Sequence, residues 1–89
     1  MGDNCPAVLL GDFNARPQTP EIGRLRATLT DTCTAAAGSG RPATHPADAP
    51  TARIDYIFTS RRLTAAWTSV STGDPAASDH LPVVSRLVR

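Results

Sequence analysis

The sequence predicts an α/β fold, a mixed and mostly antiparallel sheet carrying one helix. Two observations predict it. Strand-like apolar stretches occur at 7–10, 53–59, 64–71 and 81–88, and one stretch with helical spacing falls between the first two. The resulting order, β-α-β-β-β, lacks the alternation of a βαβ repeat. No internal repeat is visible, and 89 residues hold one small domain or part of a larger one.

Residues 7–10 (AVLL) form an apolar run that stops at Gly11-Asp12, as a buried strand would. The connector 15–20 carries two prolines. Thr19 is placed to cap a helix with Pro20 at its first position and Glu21 in its first turn. Ile22, Leu25 and Leu29 then recur at helical spacing, which predicts a helix over about 20–29. Residues 38–52 hold three prolines and two glycines and read as one long loop. In 53–59 (RIDYIFT), Ile54, Tyr56 and Phe58 share one strand face, with Asp55 and Ile57 on the other. A strand at 64–71 and a loop at 73–80 lead to a last strand at 81–88, where Pro82 sits at the start and its missing N–H is tolerated.

Composition narrows the function classes. Fourteen alanines inflate the 40% hydrophobic content, and Leu, Ile, Val and Phe together number seventeen, so the core is lean. Nine arginines, no lysine, seven Asp and one Glu leave a net charge of +1, without the basic field that drives non-specific nucleic-acid binding. Arg in place of all Lys reads as coding bias. Cys5 and Cys33 either pair or stay reduced, and no CxxC spacing points to zinc. The chain shows no signal-peptide pattern and no apolar run near the roughly 20 residues of a membrane span, which makes the cytoplasm the default compartment.

Three short segments carry chemistry. In GDFN, Asp12 and Asn14 would share a face if the strand continues, offering a base and a neutral donor at a strand end; an ordinary Asx turn would use the same residues. In RIDYIF, Asp55 interrupts an apolar strand and needs a partner, which solvent, Arg53 or a more distant group would supply. In SDHLP, a carboxylate on one nitrogen of His80 would fix its tautomer and free the other nitrogen for substrate. Asp55 is the candidate carboxylate, and Asp79 is left for a metal or leaving group. His45, in the long loop, reads as a surface residue.

GDFN, RIDYIF and SDHLPV, in this order, closely resemble the endonuclease/exonuclease/phosphatase superfamily of deoxyribonucleases, abasic-site endonucleases, sphingomyelinases and inositol-polyphosphate phosphatases. The likeness extends through RPQTPEIGRL and ATHPADAPTARIDYIF. It implies half of a two-sheet α/β sandwich and a metal-dependent hydrolase of phosphodiester or phosphomonoester bonds. It further implies that Asp12 orients and deprotonates water, that Asn14 binds phosphate and positions Asp12, and that His80 contacts the scissile phosphate with Asp55 behind it. Asp79, with Asp12, would serve Mg²⁺ or Mn²⁺, since hard oxygen ligands suit both.

Such domains run to roughly 250 residues, the size that two packed layers require, and their amino-terminal half carries an Asn and a Glu metal ligand. Glu21, the one glutamate here, lies after GDFN and matches neither. The chain therefore reads as residues 1–89 of a carboxyl-terminal portion, with an incomplete metal site and an apolar face awaiting a complementing half. Three readings follow: half of a hydrolase, an inactive module docking on a partner or complementing half, or a reading-frame fragment without function. The 38–52 loop lacks aromatics for base stacking and has only Arg41 and Arg53 at its margins. Nucleic acid, phospholipid headgroup and soluble phosphate ester all stay open as substrates.

Overall fold

The computed structural model of the chain describes residues 5–35, 43–71 and 76–89. The elements run β1 (Val8–Asp12), α1 (Pro20–Arg26), β2 (Thr30–Asp31), a single helical turn α2 (Thr32–Ala35), β3 (Asp55–Thr59), β4 (Thr64–Val70) and β5 (Val83–Val88). They form a partial α/β sandwich of two sheets, β1-β3-β2 and β4-β5, and every strand pairing is antiparallel. The short strand β2 and the turn α2 carry no periodic signal, because two and four residues are too few to show one.

Alternation along β3 builds the core. Tyr56 and Phe58 are fully buried on one face and pack with Ile22 of α1, while Phe13, Ala15, Leu25 and Leu29 close around them. Phe13 meets both rings edge-on with centroids 5.6 Å away, and Tyr56 and Phe58 stack at 5.4 Å. The buried Tyr56 hydroxyl donates to the Ala15 carbonyl at 2.6 Å, which ties the segment after β1 onto β3. Asp55 and Ile57 lie on the opposite, half-buried face, as period-two spacing requires.

Local chemistry corrects several boundaries. The first strand runs through Gly11 and Asp12 rather than stopping before them, because Gly11 pairs opposite Tyr56 at a φ of 149° that other residues rarely adopt. Thr19 stands at the helix N-cap but does not cap it: its hydroxyl donates backward to the Arg16 carbonyl at 2.8 Å. Helix α1 ends at Arg26, and Leu29 still stays on its inner face because its N–H reaches the Leu25 carbonyl at 2.8 Å.

Beneath this core lies an ion cluster that sequence spacing does not reveal. Buried Asp31 accepts from Arg26 and Arg53, and also from the Cys33 N–H. Arg53 thus pairs with Asp31, and its guanidinium stacks 4.5 Å above the Tyr56 ring. Cys5 is exposed and Cys33 buried, both as free thiols, and burial pushes the Cys33 thiol pKa up. Among the described residues no helix is long and apolar enough to cross a membrane.

Residues 43–52 of the long loop are described; residues 38–42 of that expected loop lie outside the described residues, as do residues 73–75 of the loop expected at 73–80. His45 and Ala52 bridge across it, and buried Thr44 accepts the Ile54 N–H through its hydroxyl. The Leu81 N–H then donates to the Thr44 carbonyl at 2.7 Å, and the Ala47 N–H to the Asp79 carbonyl at 2.8 Å. These bonds dock the loop against the 79–81 segment.

Candidate active site

Antiparallel register sets the first pair of groups. Asp12, the last residue of β1, stands directly opposite Asp55, the first residue of β3. Two carboxylates in that relation repel, and the His80 ring lies against both. Its Nδ1 is 2.7 Å from Asp55 Oδ2, and since an ionised carboxylate only accepts, Nδ1–H is the donor. Nε2 then faces Asp12 Oδ2 at 3.7 Å and Asp79 Oδ1 at 3.8 Å. Both separations exceed hydrogen-bond length, so those two carboxylates act on the ring through space.

The hydrogen bond that His80 Nδ1–H donates to Asp55 is the main cause that raises the His80 pKa above its ordinary value. Burial is the next largest effect and opposes it, and the charges of Asp55, Asp79 and Asp12 add to the rise. His80 therefore keeps its imidazolium form to higher pH than a free imidazole does. Ser78 shapes its loop by accepting the His80 N–H at 3.0 Å, and Pro82, without an N–H to place, uses its carbonyl to accept from Ser71.

Asn14 is oriented differently from the strand-based expectation. The strand ends at Asp12, and Asn14 adopts a left-handed φ of 48°, so two-residue alternation no longer puts both side chains on one face. Instead the Asn14 backbone N–H donates to Asp12 Oδ1 at 2.8 Å. This Asx turn holds one carboxylate oxygen and leaves Oδ2 turned toward His80. The turn and a positioned carboxylate, which look like rival readings in sequence, coexist here.

The structure thus gathers Asp12, Asp55, Asp79 and His80, with Asn14 bracing Asp12. It also brings in His45, which is half-buried rather than a surface residue. The His45 ring lies 4.7 Å from the His80 ring, centroid to centroid, and its Nε2 is 3.6 Å from Asp79 Oδ2. Linear spacing gives no hint of this contact; that the chain has just two histidines is the one available signal. Asp12 and Asp79 offer exposed carboxylate oxygens, the donor type a hard Mg²⁺ or Mn²⁺ ion takes. Two carboxylates are fewer than the six oxygens of such an ion, so they fit it as part of a site. Next to Asp12 and Asp55 a groove of about 230 Å³ runs along the strand face, lined by apolar Leu10, Ile57, Leu81 and Val83.

Residues 2–80 match the model of the Endonuclease/Exonuclease/phosphatase family. Among solved structures, the chain resembles a mannosyl-6-phosphatase from Bacteroides thetaiotaomicron VPI-5482, with a TM-score of 0.84, 28% identity, and coverage of 99% of this chain and 39% of that one. An endonuclease/exonuclease/phosphatase family protein from Bacteroides thetaiotaomicron aligns with a TM-score of 0.78 and 25% identity over 94% of this chain and 36% of its own. A third, from Bacteroides vulgatus, shares the fold with a TM-score of 0.80 and 24% identity over 93% of this chain and 36% of its own. The chain therefore spans well under half the length of the structures it matches. No curated protein matches the sequence significantly.

Proposed function

Since the chain belongs to the Endonuclease/Exonuclease/phosphatase family, we propose that it supplies the carboxyl-terminal portion, residues 1–89, of a Mg²⁺- or Mn²⁺-dependent phosphate-ester hydrolase. The observation that carries this reading is His80, bound to Asp55 through Nδ1 at 2.7 Å with Nε2 presented between Asp12 and Asp79. The likeness to a mannosyl-6-phosphatase makes sugar phosphate monoesters the first substrate class to try.

Asp12 accepts the proton of an attacking water through Oδ2, while the Asn14 N–H keeps Oδ1 engaged. Asp55 holds the His80 ring so that Nε2–H donates to a phosphate oxygen, and the imidazolium offsets charge as it builds there. The Asn14 carboxamide is a further neutral donor to phosphate. Asp12 and Asp79 would hold the divalent ion, which when bound polarises the phosphoryl group. The remaining ligands come from a complementing amino-terminal half, which would also cover β1, where Leu10 is 63% exposed.

The test supplies that complementing half in trans and follows Mg²⁺-dependent release of phosphate from a sugar phosphate, beside a diester substrate. Turnover should appear on mixing and fall by about 10²–10⁴-fold in His80→Ala. The exposed apolar strand also suits a second reading, a docking module without chemistry. Binding of the two halves with no turnover, unchanged in His80→Ala, would select that reading and sink the hydrolase.

A further inference from the structure

His45, Asp79 and His80 bring together two imidazole nitrogens and a carboxylate whose ligand atoms all lie within 4.8 Å of one another. Asp79 uses one oxygen toward each ring, Oδ2 toward His45 and Oδ1 toward His80, at 3.6 and 3.8 Å. Donors about 2.0–2.1 Å from a tetrahedral ion stand roughly 3.3 Å apart, so the two Asp79 contacts close by a few tenths of an ångström, while separations of up to 4.8 Å within the group close by up to about 1.5 Å. Asp79 is well exposed and half-buried His45 sits in a loop, so both side chains have room to move.

Two further observations point the same way. A histidine that ligates a metal through one nitrogen commonly donates its other N–H to a carboxylate, and Asp55 occupies that position on His80 Nδ1. The loops carrying the three groups are also joined in advance, by the Leu81 N–H on the Thr44 carbonyl and the Ala47 N–H on the Asp79 carbonyl. Nitrogen-rich donors favour a borderline-soft ion over Mg²⁺.

We propose that His45, Asp79 and His80 form a Zn²⁺-class site, separate in donor chemistry from the oxygen-ligand Mg²⁺ site, and that zinc and phosphate exclude each other there. The ion displaces the Nε2 proton of His80 to solvent and takes the lone pair this frees, so His80 then cannot donate from that nitrogen to a phosphate oxygen. It also draws Asp79 toward the two rings. Zinc is thus an inhibitor of this site. The exclusion rests on the proposed role of His80, whereas the zinc site does not.

The experiment is a Zn²⁺ titration of the full chain, in a Cys5→Ser background that removes the exposed thiol, read by ¹⁵N resonances of the histidine rings. With two histidines in the sequence, each signal is assignable by single substitution. Both Nε2 signals should move together at one equivalent, and affinity should drop about tenfold or more in His45→Gln and in the exposed Asp79→Asn, with about tenfold in Asp55→Asn. Movement of one ring alone, or unchanged affinity in both His45→Gln and Asp79→Asn, overturns the site. Inorganic phosphate is then added with and without Zn²⁺. Loss of the phosphate-induced His80 shift on zinc loading supports exclusion, and additive shifts overturn it. Failure of phosphate to perturb His80 even without metal counts against the hydrolase reading and the exclusion, while the zinc arm still decides the site.

Discussion

His80 meets three carboxylates, but only Asp55 lies at hydrogen-bond distance, so this one contact governs its proton affinity. A raised pKa in the folded chain means that the pairing stabilises the fold fully below the ordinary value of 6.5, and that this contribution fades as pH rises through the folded value. Asp55→Asn should return the His80 titration toward 6.5 and flatten the pH dependence of stability across that window. An NMR titration of the two histidines checks it, and a His80 midpoint unchanged by the substitution would show that Asp55 is not the cause. The Asp55–His80 partnership is legible in sequence only through the set of three motifs and the family they resemble, because an isolated acid in an apolar strand requires a counterpart but its spacing does not choose among solvent, Arg53 and His80. His45 is not legible, since its place depends on how an irregular loop folds back.

At the scale of single elements, two glycines show opposite demands. Gly11 in β1 has open space where a Cβ would stand, yet its φ of 149° makes any side chain strained; Gly23 in α1 is equally open and carries no unusual φ. Gly11→Ala should therefore cost about 1–3 kcal/mol, whereas Gly23→Ala should gain about 0.5–1 kcal/mol by lowering chain entropy in a helix interior. Urea midpoints of the two variants test both signs at once; destabilisation of both would mean that α1 does not form as described. Strand β3 and helix α1 are readable from alternation and from Ile22, Leu25 and Leu29, because burial of one face imposes a period. The left-handed Asn14 and the paired Gly11 obey backbone constraints instead, and hydrophobic spacing does not register these.

Across the whole molecule, burial is uneven. The helix-covered face of β3 is closed, whereas every residue of β1 is exposed and Trp67, Val84 and Val88 of the second sheet are partly open. Leu10 stands on an edge strand, where a free backbone and an apolar side chain together invite another chain. The chain by itself should associate at micromolar concentration, and Leu10→Lys should shift it toward monomer in sedimentation velocity; equal association in the variant would place the contact elsewhere. Asp31 has a different kind of reach, joining the end of α1, the start of α2 and the residue leading into β3. Asp31→Asn leaves two arginine side chains facing a neutral amide and should cost about 3–5 kcal/mol, read as a lower unfolding midpoint. A saturation screen of this chain for function would thus score Asp31 and His80 alike as intolerant. Counting soluble protein beside product would tell them apart: the Asp31 variants would vanish from the lysate, while the His80 variants would accumulate and do nothing.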